Sequence, residues 1–249
     1  MGMRELVKNE LAKLGAGLSD EQAVSFEKYY ELLVSWNEKV NLTAITEKED
    51  VAVKHFADSL GLVLLKDEKS VKRILDGEGL KLIDVGTGAG FPGIPLKIVF
   101  PGLKVTLLDS LNKRVNFLNE VITELGLKGI EAVHMRAEDA AHDKAYREGY
   151  DIAVSRAVAN MAVLSEYCIP FVKKGGCFMA YKSGEFIESG ERDSALKAVK
   201  ILGGEPVSFH EYKLPGTDYG RCIAVIKKTE NTPKKYPRKA GLPSKEPLQ

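Results

Sequence analysis

The sequence predicts an α/β fold, a doubly wound and mostly parallel sheet behind a helical N-terminal cap. Three observations carry this. From Lys81 onward, short β-rich runs alternate with helical patterns, the strands ending near Val85, Asp109, Met135, Ser155 and Tyr181, and such alternation gathers parallel strands into one sheet. The first run, Leu80-Lys81-Leu82-Ile83, ends in Asp84 and turns through Gly86, Gly88, Gly90 and Gly93 into a short helix, a strand–turn–helix with bare backbone at its bend. Near the end of the chain, residues 207–212 and 221–226 are separated by Pro215-Gly216 and Gly220, which reads as a hairpin adding an antiparallel strand beside the parallel ones.

Residues 1–65 read as the helical cap. Ser19 with Gln22 and Thr46 with Glu49 have the spacing of capping boxes, each opening a helical apolar pattern. The first pattern places Val24, Phe26, Tyr30, Leu33, Val34 and Trp36 on one broad stripe. Asn41-Leu42-Thr43 is a polar break, and His55, Asp58 and Ser59 follow at i, i+3 and i+4 on one helical face. A lone His beside an Asp is most often a structural hydrogen bond, and no further metal ligands accompany it. Residues 66–228 carry the sheet. There the helix after the glycine turn is closed by Pro101, the helix 113–125 stops at Gly126, and another from Asn160 to Val172 stops at Gly175-Gly176.

With 249 residues, 44% hydrophobic and 29% charged, the chain supports one full α/β core and an appendage. The N-terminus turns to charge at Arg4, and no run approaches the ~18 apolar residues of a membrane span, so the cytoplasm is the expected location. Cys168, Cys177 and Cys222 are widely spaced and odd in number, which favours buried, reduced thiols over disulfides or a metal site. The net charge of +1 hides an asymmetry. From Lys227 onward there are seven basic residues against Glu230 and Glu246, a net +5. Residues 229–249, broken by Pro233, Pro237, Pro243 and Pro247, read as a basic Pro-rich tail lying on a polyanion or on the protein's own surface. Its deletion is expected to weaken binding of a polyanion and to spare any small ligand held at the sheet.

Two cofactor classes fit the glycine turn. Gly88-Ala89-Gly90-Phe91-Pro92-Gly93 is a literal G-x-G-x-x-G, as NAD sites use, but Asp84-x-Gly86 precedes it and the following helix is too short to face a pyrophosphate comfortably. S-adenosylmethionine (SAM) fits better, because its methionine head needs only the loop and an acidic strand end. Asp109, at the end of the second strand, offers a carboxylate to ribose hydroxyls in either case. The antiparallel C-terminal hairpin also leans towards SAM, by analogy of fold.

Ligands of open α/β sheets sit beyond the carboxyl ends of the strands. Those ends offer Asp84 to Phe91, Asp109 with Lys113 and Arg114, Arg136-Ala137-Glu138, Ser155-Arg156, and Lys182-Ser183-Gly184. Lys113, Arg136, Arg156 and Lys182 thus converge on one crevice, where like charges repel unless a polyanion balances them or Asp109, Glu138 or Asp139 pairs with them.

Taken in order, Asn41-Leu42-Thr43, His55-x-x-Asp58-Ser59-Leu60, Asp84 to Leu96, Leu108-Asp109 with Lys113-Arg114 and Phe117-Leu118, Arg136-Ala137-Glu138 and Ser155-Arg156-Ala157 resemble the RsmG/GidB family of bacterial guanine-N7 methyltransferases of small-subunit ribosomal RNA. The resemblance implies a Rossmann-like class I methyltransferase with a seven-stranded sheet, using SAM and acting on 16S ribosomal RNA or a ribosomal particle, without metal or membrane. A monomer is the expected state. It further implies that Asp84, Gly86, Gly88, Gly90, Phe91, Asp109, Ala137, Glu138 and Arg156 bind the cofactor. Asn41, His55, Lys113, Arg136, Lys182 and Arg221 are implied for RNA, with Arg136, Arg156 and Lys182 positioning the reactants. Guanine N7 carries a free in-plane lone pair, so alignment rather than a general base is expected to drive the reaction. A SAM-dependent enzyme acting on a protein or small molecule, and a non-enzymatic RNA-binding protein, stay open beside this reading.

Overall fold

The computed structural model describes residues 1–156 and 159–248. The N-terminal part is helical: α1 (Met3–Lys13), α2 (Asp20–Val40) and α3 (Lys48–Val51), the last running directly into one π-helical turn at Ala52–Ala57. A 3-10 turn at Gly61–Leu64 and α4 (Lys69–Leu75) lead to the sheet. Then follow β1 (Lys81–Val85), α5 (Gly93–Val99), β2 (Lys104–Asp109), α6 (Asn112–Glu124), β3 (Ile130–His134), α7 (Ala137–Ala140) and β4 (Tyr150–Ser155). The chain continues through α8 (Met161–Cys168), β5 (Val172–Ser183), α9 (Glu191–Ile201), β6 (Gly204–Lys213), β7 (Gly220–Lys228) and α10 (Leu242–Lys245).

The seven strands lie in the order β3-β2-β1-β4-β5-β7-β6. All neighbours from β3 to β5 pair in parallel, whereas β7 runs antiparallel to both β5 and β6. The hairpin is therefore inserted at the edge as expected. This order differs from the dinucleotide-binding order 3-2-1-4-5-6, and the NAD reading loses its support in the fold.

Alternation along each central strand divides the core. Leu82, Ile152 and Val154 face the side where Phe26, Tyr29, Leu33 and Phe56 of the cap pack with Leu96, Phe117 and Leu118. Ile83 and Ala153 face the other side, against Leu164, Phe171, Ala198 and Val199. The cap is thus part of one sheet face's covering layer. Ser19 forms the expected capping box, its hydroxyl accepting from Gln22 N while Gln22 Oε1 accepts from Ser19 N.

Three local expectations need correction. The Thr46–Glu49 box is absent: Glu47 is the N-cap of α3 and gives it no side-chain hydrogen bond. The buried stripe of α2 is Ala23, Phe26, Tyr29 and Leu33, so Tyr29, one position from the expected Tyr30, is the aromatic that faces inward. Finally, the helix after Asn160 ends at Cys168, and Gly175-Gly176 lies inside β5. A Cβ on Gly176 would lie 2.9 Å from Val172 Cγ1 and against the Asp151 carbonyl, so the glycine pair serves a close strand approach rather than a helix stop.

Candidate functional site

The end of β1 is held by Asp84. Its Oδ2 accepts from Thr87 Oγ1 at 2.7 Å and from Gly93 N at 2.8 Å, which ties both ends of the glycine loop to one carboxylate. Oδ1 is buried without a partner among the described residues. Burial pushes this carboxyl up to about 7, against the pull of the Thr87 and Gly93 bonds and of Arg156, with Asp109 adding to the rise. Asp84 accordingly positions the loop from beneath.

A testable consequence follows from the sign. Unfolded, the carboxyl titrates near 3.9; between there and about 7 the folded protein keeps a proton that the unfolded chain has lost, so this group costs stability as pH rises through that window. Relative to the parent, Asp84→Asn is expected to gain melting temperature progressively from pH 4 to pH 8. A gap independent of pH would show that Asp84 titrates normally.

Gly86 and Gly88 adopt φ of 71° and 62°, and a Cβ at either would meet nothing within 4 Å. Gly90 is different. A Cβ there would fall 2.6 Å from Tyr29 Oη and 2.5 Å from Ile94 Cδ1, because the Tyr29 hydroxyl of α2 reaches over the loop and donates to the Ala89 carbonyl. Gly90 is therefore required by packing, Gly88 turns its N–H to Asp109, and Gly86 leaves space for a ligand.

That space is a cavity of about 340 Å³ at the carboxyl ends of β1, β2 and β4. Gly86, Asp109, Arg136, Ala137, Glu138 and Ser155 border it, with Leu108, Met135 and Leu164 as apolar walls. Asp109 is 3% exposed; its Oδ2 accepts from Gly88 N and its Oδ1 from Leu111 N, each at 2.9 Å, while Arg114 Nη1 lies 3.4 Å away. The carboxylate is thereby fixed at the cavity wall. Open glycine backbone, a fixed carboxylate at the second strand end, apolar walls and Glu138 at the start of α7 fit an S-adenosyl group, whose nucleoside is flat and apolar on its faces and whose ribose presents hydroxyls.

Phe91 does not border this cavity. Its ring is 6% exposed, stacked on His55 with centroids 4.5 Å apart and 5.4 Å from the Tyr29 ring, so it joins the cap to the loop. Arg156 Cζ lies 5.0 Å from the same ring centroid.

A second cavity of about 360 Å³ opens next to the first, bordered by Lys54, His55, Asp58, Arg156, Lys182 and Arg221. Asp58 organises it: Oδ2 accepts from Arg156 Nη1 and Oδ1 from Arg221 Nε, both at 3.0 Å. Arg156 Nη2 lies 3.1 Å from His55 Nδ1. Since a guanidinium only donates, Nδ1 is an acceptor, and Nε2 carries the proton that it donates to Thr43 Oγ1 at 2.9 Å. Burial, then the neighbouring Arg156 charge, pushes His55 down to about 3. His55 is therefore a neutral prop for Arg156, its one lone pair already used.

The expected crowding of bare cations needs correction. Arg156 and Arg221 share Asp58, and Lys182 Nζ, with a side chain 9% exposed, lies 2.6 Å from Glu191 Oε1 and donates to the Ala159 carbonyl at 3.0 Å. Each of the three has an acidic partner, because an unpaired cation in a buried cleft would cost several kcal/mol, but Arg156 and Arg221 share one carboxylate, so the cleft keeps a net positive charge. Lys113 and Arg136 are exposed, as is Asn41, which ends α2 with φ 49°. Ala157 lies outside the described residues. Sequence reasoning missed Tyr29, Glu191, Tyr167 and two residues of the tail, Gly241 and Ser244, which also border the first cavity.

In overall architecture the chain resembles M. jannaschii TYW2 in complex with AdoMet, with a TM-score of 0.50 and 15% identity over 61% of this chain and 70% of that one. It also resembles MtNAS in complex with MTA and tNA, with a TM-score of 0.53 and 14% identity over 84% and 74%. Fold and site together define an open α/β sheet of this architecture with a ligand cavity at the carboxyl ends of its strands. The family model described as GidB, rRNA small subunit methyltransferase G, matches residues 22–215. A ribosomal RNA small subunit methyltransferase G from Acetivibrio thermocellus is 52% identical over 99% of this chain and 97% of its own, and one from Alkaliphilus oremlandii is 51% identical over the whole of both. The chain belongs to the RsmG/GidB family. Among the described residues, no helix is long and apolar enough to cross a membrane and no cluster of His, Cys, Asp or Glu is arranged to hold a metal ion.

Proposed function

We propose that this protein transfers a methyl group from S-adenosylmethionine to N7 of a guanosine in 16S ribosomal RNA. The observation that carries the reading, beside family membership, is the juxtaposition of two cavities at one strand end: Ser155 borders the S-adenosyl cavity and Arg156, the next residue, borders the basic one. When bound, SAM supplies an electrophilic methyl; the N7 lone pair forms the new C–N bond, the C–S electrons return to sulfur, and no proton moves.

The residues accordingly hold and orient. Gly86, Asp109, Ala137 and Glu138 would seat the donor, with Asp109 on the ribose hydroxyls. Arg156 is fixed by Asp58, His55 and the Lys54 carbonyl at 3.0 Å, a rigid donor set at the wall of the second cavity. Guanine presents O6 as an acceptor beside N7, so a donor from Arg156 or Arg221 to O6 would hold that edge while leaving the N7 lone pair free to attack. A fixed arginine pair raises the rate by alignment, and the absence of a free lone pair on His55 suits a reaction that needs no base. RNA is recognised most often through unpaired, splayed bases, which favours a loop or junction as the target.

Asn41, Lys113 and Arg136 remain on the exposed rim, and these would steer the phosphate backbone. Lys113→Ala is expected to make the dependence of RNA affinity on salt shallower by about 0.7–0.9 in log–log slope, one phosphate contact, with unchanged affinity for S-adenosylhomocysteine. An identical slope in filter binding across a salt series would remove Lys113 from the RNA path. The reading as a whole is tested by incubating the protein with methyl-tritiated SAM and small-subunit ribosomal RNA, naked and as particle, and mapping the label. Label at guanine N7 supports it; label only on protein or a small molecule would replace the substrate.

A further inference from the structure

We propose that the C-terminal segment from Thr232 to Leu248 is a strap that completes the S-adenosyl cavity on its Glu138 side, with Gly241 and Ser244 as cofactor-site residues. The inference rests on reading that cavity as the S-adenosyl site. A free basic arm would leave its backbone to solvent; this one is anchored along its length. Arg147 Nη2 donates to the Thr232 carbonyl at 2.8 Å and Nη1 to that of Tyr236 at 2.9 Å, while His142 Nε2 lies 2.8 Å from the Pro237 carbonyl. Arg238 then closes on Glu166: backbone N and Nε reach Oε1 at 2.7 and 3.0 Å, and Nη2 reaches Oε2 at 2.7 Å. The Glu166 side chain is 1% exposed, so this is a buried anchor, whose carboxylate would be stranded without the tail. Lys228, counted in sequence as part of the arm's charge, is 1% exposed and bonds the Ile169 carbonyl at 3.0 Å.

Past the anchor, the chain turns at Gly241, with φ of 82°, and reaches the cavity. Gly241 N donates to Glu138 Oε1 at 2.9 Å, and Ser244 Oγ lies 2.9 Å from the hydroxyl of Tyr167. Glu138, Tyr167, Gly241 and Ser244 all border the same cavity as Gly86 and Asp109. The tail therefore sets the orientation of the Glu138 carboxylate and walls off solvent beside it. Four prolines stiffen the segment, which lowers the entropy lost on holding it there. Lys234, Lys235, Lys239 and Lys245 still point outward, so the strap presents a basic outer surface while its inner edge faces the cofactor. Deleting residues 229–249 is then expected to impair cofactor binding, contrary to the expectation from sequence.

Hydrogen–deuterium exchange of the full chain with and without S-adenosylhomocysteine tests this. Slower exchange in residues 238–246 together with residues 84–91 is the expected result. Slowing in 84–91 alone would overturn the strap while keeping the S-adenosyl reading; slowing in neither would remove both. A second arm uses the full-length double variant Arg238→Ala with Glu166→Gln, which releases the anchor without stranding a charge. Its affinity for S-adenosylhomocysteine by calorimetry is expected to fall roughly tenfold, the scale of one lost hydrogen-bonded contact. Equal or tighter binding in a variant whose residues 238–246 exchange freely would overturn the proposal, tighter binding marking the tail as an occupant of the cavity.

Discussion

Asp109→Ala is expected to weaken S-adenosylhomocysteine binding by about 1–3 kcal/mol, roughly 5- to 150-fold, measured by calorimetry. The carboxylate stands at the cavity wall with both oxygens already oriented by Gly88 N and Leu111 N, so a ribose diol would meet an acceptor that needs no reorganisation. The same substitution frees the Gly88 amide and removes the Arg114 partner, and some loss of melting temperature should accompany the loss of affinity. Asp109→Asn separates the two effects, since it keeps the shape and the acceptor on one side while lowering the charge. Affinity unchanged in both variants would take Asp109 out of the cofactor site.

Asp58→Ala should have the larger effect on the protein as a whole. One carboxylate, with a side chain 6% exposed, holds Arg156 and Arg221 from opposite oxygens, and Tyr212 Oη lies 3.5 Å from Oδ1. Removing it leaves two largely buried guanidinium groups facing each other, a loss of about 3–5 kcal/mol for a broken buried pair, visible as a lowered denaturant midpoint. Methyl transfer is expected to fall to background, yet S-adenosylhomocysteine should still bind, because Asp58 borders the second cavity and not the first. Loss of cofactor binding in a folded Asp58→Ala protein would contradict the division of labour between the cavities.

Much of the fold was legible because its signals are local. Strand ends at Val85, Asp109 and Ser155 were marked by apolar runs that stop at polar residues, and Gly86 to Gly93 announced the loop. What escaped was settled across the chain. Lys182 and Glu191 are near in sequence, but only the turn after β5 brings them together; Arg156 and Asp58 are separated by 98 positions, and Arg238 and Glu166 by 72. Composition places cations at the strand ends without showing which acid returns to meet each one. The tail misled for the same reason: charge and prolines describe its solvent side, whereas its attachment uses backbone carbonyls, which every residue has. Tyr29 differs from Tyr30 by one step of helical phase, about 100°, a margin that an apolar stripe of this breadth does not resolve.

The Tyr29 hydroxyl on the Ala89 carbonyl has a consequence for how a bulky substrate enters. Through that bond, and through the rings of Phe26, Phe56, Phe91 and Phe117 around it, α2 and the helices packed on it are riveted to the loop that α2 overlies. They cannot swing aside as a door without exposing an aromatic knot to water. A large folded polynucleotide must therefore bring its reacting base to a fixed aperture, and the accommodation needed for docking falls to the visitor.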